Sequence, residues 1–325
     1  MPYIRVRQFQ DNLLRKLHIS GIRARWLTPS FKRYKMALDE QTIYREHPCF
    51  GPHKHNKGRI HLPVAPGCNI ECRFCDRKIN ECENRPGVTS TVIKPGEACE
   101  YIRRALERCP ELTVIGIAGP GDTLATPYAL DTFRLVKKEF PQLIRCMSTN
   151  GLLLAEKAEE LIEVGIDTLT VTVNAVEPEI EAQLNNRIIY HGKIYTGVEA
   201  AKILIRNQIE GIKKVADSGM LIKVNTVLCP GINDAHIEEI AYTVKDAGAH
   251  IYNIIPLIPQ NELRDLHAPT FTELDNARKA AYPYINIFTH CAHCRADAIG
   301  VPGEYDIGSD IYMGRVNTKE TFSHG

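Results

Sequence analysis

Six short apolar runs recur along this chain, at 60–64, 112–118, 143–148, 169–173, 221–227 and 251–255. Helical patterns lie between them at 95–108, 127–140, 155–164, 197–218 and 235–247. Alternation of this kind restricts the fold to βαβ units around a parallel sheet. Six units suit a partial (β/α)6 TIM-like barrel, in which chemistry gathers at the carboxyl ends of the strands. The 325 residues, 44% of them apolar, are enough for one large α/β domain with additions. Residues 1–56 are basic and irregular. A late apolar run at 284–288 leads into Cys291-Ala-His-Cys294, and the tail after Gly300 is rich in glycine and polar residues. The expected division is therefore an N-terminal extension at 1–56, a barrel at 57–290 and a C-terminal segment at 291–325.

Directly after the first run, Cys68, Cys72 and Cys75 stand as Cys-x-x-x-Cys-x-x-Cys. Three thiolates on one loop can hold three irons of a four-iron cluster and leave the fourth open to a ligand with an amino and a carboxylate group. A structural zinc site needs four closed ligands, and no paired knuckle stands beside this loop. Disulfides need an oxidising compartment, but the chain shows no secretory signal or transmembrane run, so a cytoplasmic location is expected. The eleven cysteines then point to metal or redox chemistry, and a net charge of +1 gives no case for nucleic-acid or membrane partners. The loop resembles that of the radical S-adenosylmethionine (SAM) superfamily. That resemblance implies a [4Fe–4S] cluster that cleaves SAM to a 5′-deoxyadenosyl radical.

The strand ends carry small and polar residues that suit such a cosubstrate. The second strand runs into Ala118-Gly-Pro-Gly-Asp122, where Gly119 and Gly121 let backbone amides approach a ligand and Asp122 can accept from an ammonium group. Ser148 and Asn150 follow the third, Asn174 ends the fourth, and Lys223 and Asn225 lie on the fifth. Together Gly119, Gly121, Asp122, Ser148, Asn150, Asn174 and Asn225 are the expected SAM cradle.

Eight cysteines remain. Cys99 and Cys109 fall on a helix and read as packing residues, and Cys229 lies in a turn. Cys49, Cys82, Cys146, Cys291 and Cys294 are one ligand short of three each for two further clusters. A histidine can supply the sixth, from His61, His55, His47 or His53; His61, which leads the first strand, can point inward.

The segments His47-Pro-Cys49, Arg59-Ile-His61-Leu-Pro-Val-Ala-Pro-Gly-Cys68, Glu83-Asn-Arg-Pro-Gly-Val-Thr89, Pro230-Gly-Ile-Asn-Asp234 and Cys291-Ala-His-Cys294-Arg-Ala-Asp297 together resemble the NifB family, radical SAM maturases of the nitrogenase cofactor. The chain stops soon after these motifs, which predicts a standalone form lacking the NifX-like domain of some members. The resemblance implies three [4Fe–4S] clusters, two of them substrates that are fused around a carbide taken from SAM. One SAM would donate its methyl group to a cluster sulfide. The radical from a second would take a hydrogen from that methyl. By motif, Cys68, Cys72 and Cys75 hold the SAM cluster; Cys82 and Cys146, with His61, hold one precursor; Cys49, Cys291 and Cys294 hold the other. Cys82 stands closer to Arg85 than the corresponding cysteine does in many members, which makes Cys229 the alternative ligand. Glu83 is the expected proton acceptor, and Arg85 binds a cluster sulfide or the SAM carboxylate. The implied partners are a ferredoxin-like electron donor, an iron–sulfur cluster donor, and a carrier or scaffold for the product. Rival readings are another radical SAM enzyme acting on a peptide or small molecule, and a non-catalytic iron–sulfur scaffold.

Overall fold

The computed structural model describes residues 38–51 and 56–312. The rest of the N-terminal extension, with His53 and His55, and residues 313–325 lie outside the described residues. In chain order the elements are α1 (Glu40–Glu46), β1 (Gly58–His61), β2 (Ile70–Cys72), β3 (Lys78–Ile79), β4 (Val88–Thr89), α2 (Ala98–Arg108), β5 (Leu112–Ile117), α3 (Tyr128–Glu139), β6 (Ile144–Thr149), α4 (Leu154–Val164) and β7 (Thr168–Thr172). They continue with α5 (Pro178–Glu181), β8 (Asn185–Tyr190), β9 (Lys193–Thr196), α6 (Gly197–Ala216), β10 (Leu221–Leu228), α7 (Ile237–Asp246), β11 (Ile251–Pro256), α8 (Phe271–Ala281), β12 (Asn286–Ile287), β13 (Ile299–Gly300) and α9 (Gly308–Tyr312).

Eight strands form one sheet in the order β12-β11-β10-β7-β6-β5-β1-β13. All neighbours are parallel except β13, which runs antiparallel to β1. All six expected strands are present, and two short edge strands leave the barrel open. β1 stops at His61, earlier than the apolar run suggests. Pro63 has no amide to donate, and the amide of Val64 turns back onto the carbonyl of Leu62 at 2.9 Å.

The two faces of the sheet differ in chemistry. Ile115, Met147, Leu169, Ile222, Val224 and Ile254 point outward into one apolar core beneath the helices. Helix α2 meets that core with Ala98, Ile102 and Ala105, an i, i+4, i+7 stripe. Parallel strands covered on both sides normally read as continuous apolar runs. Here the register aligns Gly116, Cys146, Thr168 and Leu221 in one row and Ser148, Thr170 and Lys223 in the next, followed by Thr172, Asn225 and Asn253. Successive residues on a strand alternate faces, so these rows share the inner face. A polar inner face marks the barrel interior as a site rather than a core.

Three additions frame that interior. The hairpin β8–β9 pairs with β2, placing Cys72 opposite Asn185, so the cysteine loop is itself a strand of a small antiparallel sheet. Its tip uses His191 and Gly192, both at positive φ, which matches the twist of a two-residue hairpin. The C-terminal segment returns along β1 through β13, pairing Arg59 with Gly300. Phe50 packs with Leu221, Ile251 and Phe288, in contact with Cys49, Cys146 and Cys291, where β10 and β11 begin.

Candidate active site

The cysteine loop is fixed by the loop after β5. The amide of Gly121 donates to the carbonyl of Ala65 at 2.7 Å, and that of Asp122 to Gly67 at 2.8 Å. A Cβ on Gly121 would stand 2.0 Å from the Gly67 carbonyl oxygen, so glycine is required there for loop-to-loop contact. Asp122 is buried, and its carboxylate accepts from the Thr149 hydroxyl at 2.8 Å and from the amides of Asn150 at 2.6 Å and Leu124 at 2.9 Å. These protein donors occupy the carboxylate that the sequence offered to an ammonium group; here it ties the β5 and β6 ends together. Asn150 stays in reach of the cysteines. Its side-chain amide donates to Asn69 Oδ1 at 2.7 Å and lies 3.8 Å from Cys68 Sγ.

Burial favours the neutral form of all three loop thiols. Burial pushes Cys72 well up and Cys75 up to about 11. Deprotonation therefore requires a cation at the sulfurs, which iron supplies. Cys72 and Cys75 accept no side-chain hydrogen bond among those described, so their lone pairs suit a soft metal. The donor set fits a [4Fe–4S] cluster with one open iron.

Of the remaining strand-end residues, Asn174 is used inside the protein, its Oδ1 accepting from the Val227 amide at 3.0 Å. Asn225 faces inward and accepts from Asn253 at 3.1 Å. Ser148 shares the inner face, and its carbonyl accepts from Thr123 at 2.6 Å. The sequence reading missed Glu181 of α5. It is 1% exposed, bonded through one oxygen to Asn185, with the other oxygen unpartnered. Its charge is felt by Cys72 and Cys229. Burial pushes Glu181 up to about 8. A raised carboxyl contributes stability that is complete below its unfolded value of 4.5 and is lost as pH rises through about 8. Unfolding the cluster-free protein in urea should show wild-type stability falling across that window relative to Glu181→Gln, by up to about 1.4 kcal/mol per pH unit. Parallel curves for the two proteins would contradict the assignment.

The interior gathers five distant segments. Cys49 and Cys146 lie against Phe50 and Leu221, with Cys291 in the same cluster. The Arg59 guanidinium donates to Cys294 Sγ at 3.0 Å. Burial pushes the Cys49 thiol up to about 12, although the charge of Lys223 opposes it, and Cys294 and Cys146 are near enough to couple to it. His61 and His47 also face this region. The Nδ1 of His61 lies 2.9 Å from the Arg295 carbonyl, which can only accept, so that nitrogen carries the proton and Nε2 keeps its lone pair. A backbone carbonyl fixing the far nitrogen is the usual support of a metal-ligating histidine. Burial lowers His61 to about 4, so it is neutral at pH 7. His47 has the opposite tautomer. Its Nδ1 accepts from the Cys49 amide at 3.0 Å, which leaves the proton on Nε2, buried and without a partner. His61 is thus a lone-pair donor and His47 a proton donor.

Cys82, Glu83 and Arg85 occupy the loop between β3 and β4. Cys82 is exposed. Glu83 pairs with Arg85 at 2.7 Å and with Lys78 at 3.4 Å. Burial is the largest single influence and works against its charge, but the hydrogen bonds and charges of Arg85 and Lys78 together outweigh it and hold the carboxyl below the usual range. Arg295, which follows the C-terminal Cys-x-x-Cys, donates to the carbonyls of Asn80 at 2.7 Å and Glu83 at 2.5 Å. Asp297 holds Arg295 at 2.9 Å and accepts from the Ser90 amide. The arginine therefore staples the Cys82 loop to the C-terminal cysteines. Asp297→Ala leaves the half-buried Arg295 without its acid and is expected to destabilise the fold by about 1.5–3 kcal/mol in urea unfolding. A change under about 1 kcal/mol, the range of an exposed pair, would contradict the staple. Cys229, the alternative to Cys82, is fully buried against Leu184, Leu257 and Leu263, and Cys99 and Cys109 are buried in the main core.

Among the described residues no three His, Cys, Asp or Glu side chains close on one point as they would around a single ion. Ligands of an iron–sulfur cube stand further apart, each on its own iron. A cleft of about 200 Å³, lined by Glu81, Asn84, Ser90, Arg295 and Asp297, adjoins the arginine staple. A larger cavity of about 530 Å³ lies against α4, α6 and Tyr190, in the outer layer and away from the cysteines. The lining of the larger volume has no cysteine or histidine.

The family model described as "Radical SAM superfamily" matches residues 62–244, more than half of the chain. The "FeMo cofactor biosynthesis protein NifB" of Methanocaldococcus infernus is 45% identical over 273 residues, covering 83% of this chain and 90% of the relative. The protein of the same name from Klebsiella pneumoniae is 41% identical over 268 residues, covering 79% and 57%. Among solved structures, a radical SAM methyltransferase from Sphaerobacter thermophilus superposes with a TM-score of 0.54 at 19% identity, covering 72% of this chain and 66% of that one. Streptococcus suis SuiB gives 0.53 at 13%, covering 82% and 54%. These two share the fold, a parallel-stranded partial barrel. With relatives matched nearly end to end at this identity, the chain belongs to the NifB family of FeMo cofactor biosynthesis proteins, within the radical SAM superfamily.

Proposed function

We propose that this enzyme fuses two [4Fe–4S] substrate modules and inserts a SAM-derived carbon, with added sulfur, to make the [8Fe–9S–C] precursor of the nitrogenase cofactor. The superfamily brings a [4Fe–4S] cluster and SAM; the two further modules are part of this proposal. The observation that carries it is the barrel interior, toward which Cys49, Cys146, His61, Cys291 and Cys294 come from distant segments. A scaffold would need no polar cradle at the strand ends. An enzyme acting on a peptide would need no such set of soft ligands opposite the SAM loop.

Cys68, Cys72 and Cys75 would hold the SAM cluster, which supplies one electron to the bound sulfonium. Gly119, Gly121, Ser148, Asn150 and Asn225 would line the cosubstrate pocket, with Asp122 and Asn174 bracing its walls. Cys82, Cys146 and His61 would bind one module, and Cys49, Cys291 and Cys294 the other. Cys82 lies on the exposed loop, where a module can enter, and Arg295 holds that loop to the second ligand pair. Glu83 is ionised beside Arg85, so it can take up a proton once the arginine turns to an anionic substrate. In this reading, 1–56 and 291–325 serve as ligand-bearing extensions of the 57–290 barrel. An electron donor, a donor of four-iron modules and a carrier for the product are the implied partners. Among the described residues no helix is long and apolar enough to cross a membrane.

The test is an anaerobic reaction of the cluster-loaded protein with dithionite and methyl-labelled SAM. Deoxyadenosine, adenosylhomocysteine and labelled carbon retained in a cluster are all expected. Deoxyadenosine without retained carbon would sink the proposal in favour of another radical enzyme, and neither nucleoside would favour a scaffold.

A further inference from the structure

Lys223 is 6% exposed on the inner face of β10. Its ammonium donates to the Cys49 carbonyl at 3.2 Å and stands 5.0 Å and 4.9 Å from the ring centres of Phe50 and Phe288. Among the described residues no carboxylate pairs with it. Two other buried cations differ. Arg145 has Asp167 at 2.9 Å, and Arg59 has Asp306 at 3.7 Å and the Gly300 carbonyl at 2.7 Å. An ammonium taken from water without a counter-ion is strongly disfavoured, and two ring faces offset only part of that. The titratable groups that feel its charge are Cys49, Cys146, His47 and His61. The first two thiols belong to different modules in the division given above. The position therefore suits an anion, and the surrounding donors say what kind it is.

We propose that Lys223 is the counter-charge of the substrate clusters, binding both modules electrostatically from the wall of the barrel and offsetting their repulsion as they are joined. The proposal rests on the two-module reading of the interior. Five thiolates, and then the sulfide and carbide gained in the reaction, make the assembly increasingly anionic. The ammonium has no lone pair and cannot be an iron ligand. It acts by charge at sulfur, and the buried Nε2–H of His47 offers a second donor on the same side.

The full chain is reconstituted anaerobically as wild type, Lys223→Met and Lys223→Arg. Iron per chain, low-temperature EPR after reduction and the melting temperature of the cluster-free protein are compared. Wild type should hold about twelve irons, and Lys223→Met about four with only the SAM-cluster signal remaining. The cluster-free Lys223→Met protein should melt at or above wild type, since a near-isosteric apolar chain replaces an unpaired buried charge. Lys223→Arg should recover most of the iron. Wild-type iron and EPR in Lys223→Met would overturn the proposal. So would a lowered melting temperature with iron lost from the SAM cluster too, or no recovery in Lys223→Arg. If wild type itself holds about four irons, the two-module reading fails, and that outcome is distinct from failure of the lysine alone.

Discussion

Cys291→Ala is expected to cleave SAM to deoxyadenosine while retaining no methyl carbon in a cluster; Cys72→Ala is expected to lose both. The two cysteines pack in separate clusters and belong to different ligand sets in the proposed division. Cys72 is on β2, paired with Asn185 of the hairpin, and burial holds its thiol neutral until iron binds. Two thiolates cannot hold a cube and still leave an iron open for the cosubstrate, so removal of Cys72 abolishes the radical. Cys291 packs against Phe288 and Phe50 in the barrel interior, with no element in common with β2. Its loss leaves the SAM loop, the β5 loop and their hydrogen bonds untouched. Nucleoside analysis of anaerobic assays separates the two variants. Full carbon retention in Cys291→Ala would remove the C-terminal pair from the ligand set. Persistent deoxyadenosine in Cys72→Ala would sink the radical assignment.

The second large effect comes from a residue with no side chain. Gly121→Ala places a methyl group 2.0 Å from the Gly67 carbonyl oxygen and 2.5 Å from its carbon, both backbone atoms. Neither can turn aside as a flexible side chain would. The β5 loop and the cysteine loop must separate, which strains or breaks the hydrogen bonds from Gly121 and Asp122 at 2.7 Å and 2.8 Å. Overpacking of this kind costs about 1–3 kcal/mol, and each hydrogen bond about 1 kcal/mol more. The expected outcome is a urea midpoint lowered accordingly, with loss of SAM-cluster iron, although all three cysteines remain. Gly96→Ala is the control, because nothing lies within 4 Å of its added carbon. Equal iron and stability in the two variants would show that the loops are not interlocked.

The strand-and-helix rhythm made the barrel legible in advance, because the outer rows of β5, β7 and β10 are largely apolar and the helices carry matching stripes. Part of the inner face was legible too: Lys223 and Asn225 interrupt the fifth run with polar residues two positions apart. What stayed hidden was set by contacts between distant segments. The β8–β9 hairpin has weak strand signal because it is short and half exposed. The return of the C-terminal segment as β13 depends on a two-residue pairing with β1, too short to read from pattern. Asp122 and Asn174 look like ligand groups in the sequence, yet each finds backbone donors one strand away. The sequence reading named His61; the tautomers of His61 and His47, set by which ring nitrogen meets a carbonyl and which meets an amide, are a matter of tertiary placement.

The most direct measurement is iron content and reduced-state EPR for wild type and for a variant with Cys49, Cys146, Cys291 and Cys294 all changed to serine. About twelve irons falling to about four, with SAM cleavage to deoxyadenosine preserved, is the result expected if the interior binds two substrate modules apart from the SAM cluster. Iron unchanged by removal of all four interior thiols would contradict it.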